Sequence, residues 1–130
     1  MTVLLSYTPT PAGAAAVPAA IRQAQLRETP LVVLNVQRGG ALVEANAAPE
    51  AELEEIVRQA AATGVEASVQ QIESSDVAEG VLQAVSAHDT EVLVIGLRHR
   101  SPVGKLLLGS IAQRLILDAP CEVLAVKPSE

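Results

Sequence analysis

The segment from Gly96 to Ser110 concentrates the residue types that bind anions. Between Glu91 and Asp118 the chain has no acidic residue. The same interval holds four of the nine basic residues, namely Arg98, Arg100, Lys105 and Arg114. Gly109 and Ser110 directly precede a helical pattern, and the start of a helix offers free N–H groups and a positive dipole end. Because glycine also lets an oxygen-bearing ligand approach the backbone, the segment predicts a phosphate-binding loop.

A purely structural role for the same residues fits the pattern equally well. Gly96 would then only turn the chain after a strand. Gly109 would only precede a helix that Ser110 caps, with Gln113 completing a capping box three residues later. The basic residues would form a solvated loop. Spacing and charge alone leave the two interpretations open.

Strand-like segments alternate with helical patterns, and these elements must position the loop. Four segments are short, apolar and rich in β-branched residues, as parallel strands covered on both faces are. A fifth alternates apolar and polar residues, as an edge strand does. The predicted strands are Val3–Tyr7, Leu31–Val36, Val65–Gln70, Val92–Gly96 and Glu122–Val126. This order predicts right-handed crossovers and an α/β fold with an open five-stranded parallel sheet and helices on both faces. The length predicts a single domain over residues 1–130.

Apolar residues at helical spacing predict the four helices between the strands. Pro18 lies inside the first pattern and predicts a kink or a late helix start. Thr10 is expected to cap that helix together with Thr8, although contact with a ligand is a second interpretation. Pro49 stands where the first residue of the second helix is expected. Before the third helix, Asp76 and the residue three positions later predict a capping box.

Composition limits the classes of partner. The net charge of −6 opposes binding to duplex nucleic acid, and Tyr7, the only aromatic residue, leaves no stacking platform for single strands. Cys121 is the only cysteine, which favours a reducing cytoplasm. No apolar run approaches the ~20 residues of a membrane span, and the start lacks the features of a signal peptide. The sequence therefore predicts a cytoplasmic protein that binds neither nucleic acid nor a membrane. The irregular stretch Arg38–Ala48 is predicted to be a loop that serves as a lid or as a contact for a partner.

The glycine spacing resembles the signature of the universal stress protein family: Gly, two residues, Gly, nine residues, Gly, then Ser or Thr. Gly96, Gly109 and Ser110 match this signature, and His99 occupies the second glycine position. The apolar run that ends at Gly96 and the closing segment Ala119–Lys127 are also similar to the family. The resemblance implies the adenine-nucleotide alpha-hydrolase-like fold with strand order 3-2-1-4-5. It also implies a homodimer that pairs through the last strand.

Many members of this family bind ATP between the end of the first strand and the glycine motif. By that resemblance, backbone near Val36 would meet the adenine, and Thr8 stands where the family has an adenosine-contacting Asp. The phosphates would be surrounded by Gly96, His99, Gly109 and Ser110. Because His99 replaces a glycine, the alternative is that its imidazole and Arg98 or Arg100 contact phosphate through their side chains. ATP is the implied ligand, with Mg²⁺ as its companion ion.

Three functions follow from these observations. The first is a non-catalytic stress-response module that binds an adenine nucleotide or another phosphate ligand. The second is a dimeric regulatory module whose nucleotide site is degenerate, because Thr8 removes a charged acceptor and His99 replaces a glycine. The third, an enzyme such as a slow ATPase, has the least support, since no motif supplies a general base.

Overall fold

The strands form a single parallel sheet whose order matches the expected one. The computed structural model describes residues 1–39, 47–98 and 108–128. The strands are β1 (Thr2–Ser6), β2 (Leu31–Gln37), β3 (Ala67–Glu73), β4 (Thr90–Gly96) and β5 (Glu122–Val126). They lie in the order β3-β2-β1-β4-β5, so β3 and β5 are the edges. The fold class is confirmed, and the predicted edge strand is present two to three residues further along the chain than expected.

Two helices cover each face of the sheet. The helices are α1 (Pro11–Arg27), α2 (Glu50–Ala62), α3 (Val77–Ala87) and α4 (Ser110–Asp118). Successive strand residues point to opposite faces, so Leu5 and Val33 pack towards α1 and α2, whereas Leu4 and Leu34 pack towards α3 and α4. This double coverage explains why the central strands are apolar on both faces. Within the described residues, no helix is long and apolar enough to cross a membrane.

The starts of the first two helices differ from expectation. α1 begins at Pro11 with Pro18 inside it, so the late start, one of the two alternatives expected from Pro18, is wrong. Thr10 caps α1 as expected, because its hydroxyl accepts a hydrogen bond from the Gly13 N–H at 3.1 Å. Pro49 is the N-cap of α2 and not its first helical residue, since its ψ of 142° is outside the helical range.

The capping boxes predicted for α3 and α4 are only partly formed. Asp76 caps α3 by accepting from the Glu79 N–H, but the Glu79 carboxylate pairs with Arg114 at 2.8 Å and does not return to Asp76. In α4 the cap is Gly109, with φ −68° and ψ 162°, and no side chain bonds to the cap. Ser110 is therefore the first helical residue, and its predicted capping box is wrong.

Arg114 fastens α4 to α3. Its guanidinium lies 2.7 Å from an Asp76 carboxylate oxygen, 2.8 Å from Glu79 and 3.8 Å from Asp118. The hydrogen bond from Arg114 is the main cause that lowers the pKa of Asp76, followed by the N–H of Glu79. Arg114 is one of the four basic residues counted above as potential anion ligands, but its charge is already neutralised by these three carboxylates. Arg114 positions α4 and is not a free anion ligand.

The Arg114 network predicts a measurable response to acid. A carboxyl group with a lowered pKa stabilises the fold above its ordinary pKa of 3.8 and loses that effect as the pH falls through the lower folded value. The free energy of unfolding of Arg114→Gln is therefore expected to depend less on pH in this range than that of the wild type. Denaturant titrations across acidic pH measure the difference. Arg58→Gln, which removes an exposed pair within one helix, serves as control and should keep the wild-type slope; parallel slopes for Arg114→Gln would contradict the account.

Candidate functional site

The carboxyl ends of β1, β2 and β4 lie side by side at one edge of the sheet. Ser6 pairs with Leu34 on one side and with Ile95 on the other. Thr8, Val36 and Leu97 each come two residues after one of these paired residues. The three therefore lie side by side, at the same height along the strands. Ligands of open parallel sheets bind beyond this edge, near the point where the strand order reverses, which here is between β1 and β4.

Two glycines let the start of α1 sit against the backbone at this edge. A Cβ atom added at Gly96 would lie 2.0 Å from the carbonyl oxygen of Ala12, and one added at Gly13 would lie 1.9 Å from that of Thr8. Gly96 is therefore required by close packing and does more than turn the chain. Gly13 was not singled out from the sequence, because a glycine in an Ala-rich helix gives no signal of what it packs against. The two glycines fix α1 to the ends of β1 and β4.

Thr8 is held by its own backbone and by a hydroxyl pair. Its carbonyl oxygen accepts from the Thr10 N–H at 2.8 Å, and the two threonine hydroxyl oxygens lie 2.9 Å apart. Either hydroxyl can donate in this pair, and in both cases the hydrogen of the other hydroxyl remains available. The end of β1 thus presents one hydroxyl donor to an oxygen-bearing ligand.

A cationic side chain lies at the start of α4. Arg98 follows β4, and a Cβ atom added at Gly109 would lie 3.2 Å from the Arg98 Nε. Among the residues that the structure describes, Arg98 forms no ion pair, in contrast to Arg114. The exposed Ser110 begins the helix beside it, with N–H groups of the first turn that have no partner within the helix. This arrangement brings a guanidinium and a helix N-terminus together and is suited to a phosphate group.

Val36 contributes to the edge only through its backbone. Its side chain is buried among residues of α3, where a Cβ added at Gly80 would lie 3.2 Å from the Val36 Cγ1. This leaves the backbone as the part of Val36 that a ligand could meet. Residues 99–107 of the predicted loop, which include His99, Arg100 and Lys105, lie outside the described residues, as does most of Arg38–Ala48.

Asn35 is the functional candidate that sequence reasoning missed. It is 0% exposed, and no other polar or charged side chain is buried among the residues that the structure describes. Its Nδ2 donates to the Tyr7 carbonyl at 2.9 Å, and its Oδ1 accepts from the Ala48 N–H at 3.0 Å and from Gln71 Nε2 at 3.1 Å. Leaving one such buried group without a partner costs about 1–3 kcal/mol. A polar residue within the apolar run of β2 was the signal that could have identified it.

Tyr7 joins the end of β1 to the first turn of α2. Its hydroxyl donates a hydrogen bond to Glu52 Oε1, and the ring is 4% exposed. Burial raises the pKa of Tyr7 far above its ordinary value, and the neighbouring Glu52 carboxylate raises this pKa further. The protonated phenol is therefore part of the folded arrangement at this edge.

Tyr7 should remain protonated in the folded protein at a pH at which it ionises in the unfolded chain. Its ordinary pKa is 10.0, so its stabilising effect is fully present below that pH and is lost as the pH rises above it. Since Tyr7 is the only tyrosine, the absorbance of tyrosinate reports on it alone. We expect Tyr7 to ionise at a higher pH in the native protein than in denaturant. In Tyr7→Phe the free energy of unfolding should fall less steeply as the pH rises above 10.0. Coincident native and denatured titrations would contradict this.

Within the described part of the chain, no group of three or more His, Cys, Asp or Glu side chains is arranged to hold a metal ion. The edge instead combines a hydroxyl, backbone groups, a guanidinium and a helix start. Such a combination can bind a phosphorylated ligand without an ion supplied by the protein.

Comparisons with known proteins agree with this geometry. The chain matches the model of the universal stress protein family over residues 1–127. It is 44% identical over 126 residues to a universal stress protein of Mycolicibacterium smegmatis, with 97% of each chain covered. A universal stress protein structure from Archaeoglobus fulgidus is 26% identical, with a TM-score of 0.79 and 97% of both chains covered.

A further solved structure adds a bound nucleotide to the comparison. The universal stress protein from Archaeoglobus fulgidus in complex with dAMP superimposes with a TM-score of 0.68 at 21% identity, over 97% of this chain and 96% of that one. At this identity the likeness concerns the fold, and the fold is the adenine-nucleotide alpha-hydrolase-like type expected. The sheet order and the family match agree, and the chain belongs to the universal stress protein family.

Proposed function

We propose that this chain is a single-domain, non-catalytic stress-response module of the cytoplasm that binds an adenine nucleotide at the carboxyl edge of its sheet. The observation that carries the proposal is the position of Arg98, which has no ion-pair partner among the described residues and lies against Gly109 at the start of α4. Family membership and the dAMP complex of a similar fold support the choice of an adenine nucleotide.

We assign each part of the nucleotide to residues of this edge. Backbone near Val36 would meet the adenine, and the available hydroxyl of the Thr8 and Thr10 pair would bond to the sugar. The phosphates would lie beside Gly96 and Gly109, where Ser110 and the N–H groups of α4 bind them together with Arg98 and His99. ATP, accompanied by Mg²⁺, uses the whole length of this edge.

A melting experiment tests nucleotide binding. A ligand that binds only the folded state raises the melting temperature as its concentration exceeds the dissociation constant. We expect ATP and AMP, each with Mg²⁺, to raise it, and GTP to raise it less because backbone contacts read the adenine. No shift at millimolar ATP would contradict the proposal. Phosphate release above the background rate would contradict its non-catalytic part.

A dimeric regulatory module with a degenerate site is the second candidate, and the exposed edge of β5 favours it. From Val123 to Val126 this edge strand carries only apolar residues, all half-buried, whereas the other edge, β3, mixes apolar and polar residues. Unprotected apolar edges are templates for strand pairing. α4 covers the face of the sheet towards which Val123 and Ala125 of β5 point. In this helix Leu117 is 81% exposed and Ile116 is 40% exposed. We infer a homodimer that pairs through β5.

Sedimentation velocity tests the homodimer. We expect the wild type to sediment as a dimer at micromolar concentration and Val126→Lys to shift it towards the monomer, because a charge cannot be buried at the strand pair. A monomeric wild type would overturn the dimer. A dimer without any nucleotide response would favour the regulatory module over the nucleotide-binding one.

A further inference from the structure

A group of buried or half-buried polar contacts holds the β2 side of the candidate site. We define the polar clamp as the side chains of Tyr7, Asn35, Glu52 and Gln71. Gln71 Nε2 donates to the Asn35 Oδ1 at 3.1 Å and to the Ala48 carbonyl at 3.1 Å. The clamp therefore ties together the end of β1, β2, β3 and the segment that leads into α2.

Asn35 is the centre of the clamp, because its amide contacts three of these four segments. An apolar side chain would fill this fully buried position without the need to satisfy polar groups. The amide instead fixes two backbone groups whose positions matter for the site. One is the Tyr7 carbonyl, directly before Thr8, and the other is the Ala48 N–H, two residues before α2.

We propose that Asn35 is a positioning residue for the adenosine end of the nucleotide site. Val36 is its neighbour in sequence, and Thr8 follows the carbonyl that Asn35 holds, so one side chain sets the separation of the two segments between which adenosine would lie. This inference rests on the proposed nucleotide binding and adds to it. The phosphate end is set independently by Gly109, Arg98 and the anchoring of α4 to α3.

The test compares three variants by calorimetric titration with AMP at a temperature where all are folded. Asn35→Leu removes all clamp bonds of this residue, and Asn35→Asp keeps an acceptor for Ala48 but loses the donor to Tyr7. Val33→Ala is the matched control, because Val33 is equally buried on the same strand and face. We expect the dissociation constant for AMP to rise roughly tenfold in both Asn35 variants. The control should lose stability but keep its affinity.

Hydrogen exchange provides a readout that does not need the nucleotide. Asn35→Leu should speed exchange at Ala48, whose N–H loses its acceptor, while exchange in β4 stays slow. Unchanged AMP affinity in both Asn35 variants, or an equal loss in Val33→Ala, would overturn the positioning role. If the wild type binds no AMP, the proposed function fails, and unchanged exchange at Ala48 would then overturn the clamp itself.

Discussion

Replacing Gly13 by alanine is expected to lower the free energy of unfolding by about 2–3 kcal/mol, the cost of overpacking a well-packed site. Helix propensity alone predicts the opposite sign, because alanine is about 1 kcal/mol better than glycine inside a helix. The structure decides between them, since the new methyl group would lie 1.9 Å from the Thr8 carbonyl oxygen. The Thr8 backbone cannot move away from this methyl group unless α1 shifts away from the end of β1. Chemical denaturation of Gly13→Ala measures the effect.

Gly80 provides the matched control, because it is the other glycine buried inside a described helix. The atoms nearest to a methyl group at Gly80 would be side-chain atoms, Ser74 Cβ at 3.0 Å and Val36 Cγ1 at 3.2 Å, and both contacts are about 1 Å longer than the one at Gly13. Side chains can adjust by a few tenths of an ångström, so Gly80→Ala should cost clearly less than Gly13→Ala. A neutral or stabilising Gly13→Ala would show that the close seating of α1 on Thr8 is wrong.

Removing the charge of Arg98 is expected to weaken nucleotide binding by roughly 10- to 100-fold, since a hydrogen bond to a charged group contributes about 1.5–3 kcal/mol. Arg98→Gln keeps a polar side chain of similar length beside Gly109. Because Arg98 is exposed and has no ion-pair partner among the described residues, the free energy of unfolding should change by less than about 0.5 kcal/mol. Calorimetric titration with ATP, together with denaturation, separates the two effects.

Arg22→Gln controls for the change of net charge. Arg22 is exposed on α1 and, within the described residues, also forms no ion pair. Its loss should leave the affinity for ATP nearly unchanged. Equal losses in the two variants would show that Arg98 acts only through the overall charge of the protein, and an unchanged affinity in Arg98→Gln would remove it from the site.

Most of the fold could be predicted because the strands carry a strong local signal. The β-branched runs from Leu31 and from Val92 indicated buried parallel strands, and the alternation after Val65 indicated an edge. The helix starts were less predictable. Ser110 and Pro49 have suitable residue types for the positions assigned to them, but the dihedral angles at each junction depend on how the preceding segment packs. One residue of displacement changes a cap into a first helical residue.

The candidate site could be predicted only where its residues identify themselves by type. Gly96, Gly109 and Ser110 follow a spacing that can be read in one dimension. Counting positive charges could not show that Arg114 is paired with Asp76 and Glu79, while Arg98 has no such partner among the described residues. Gly13 and Asn35 were missed for the same reason, because their roles depend on the atoms that the fold brings against them.

Calorimetric titration of the nucleotide-free wild type with ATP and Mg²⁺ decides whether this edge of the sheet binds a nucleotide. We expect saturable binding with one site per chain, strongly weakened in Arg98→Gln and retained in Arg22→Gln. Absence of a saturable heat signal at millimolar ATP, with the protein shown to be folded, would contradict nucleotide binding at this edge.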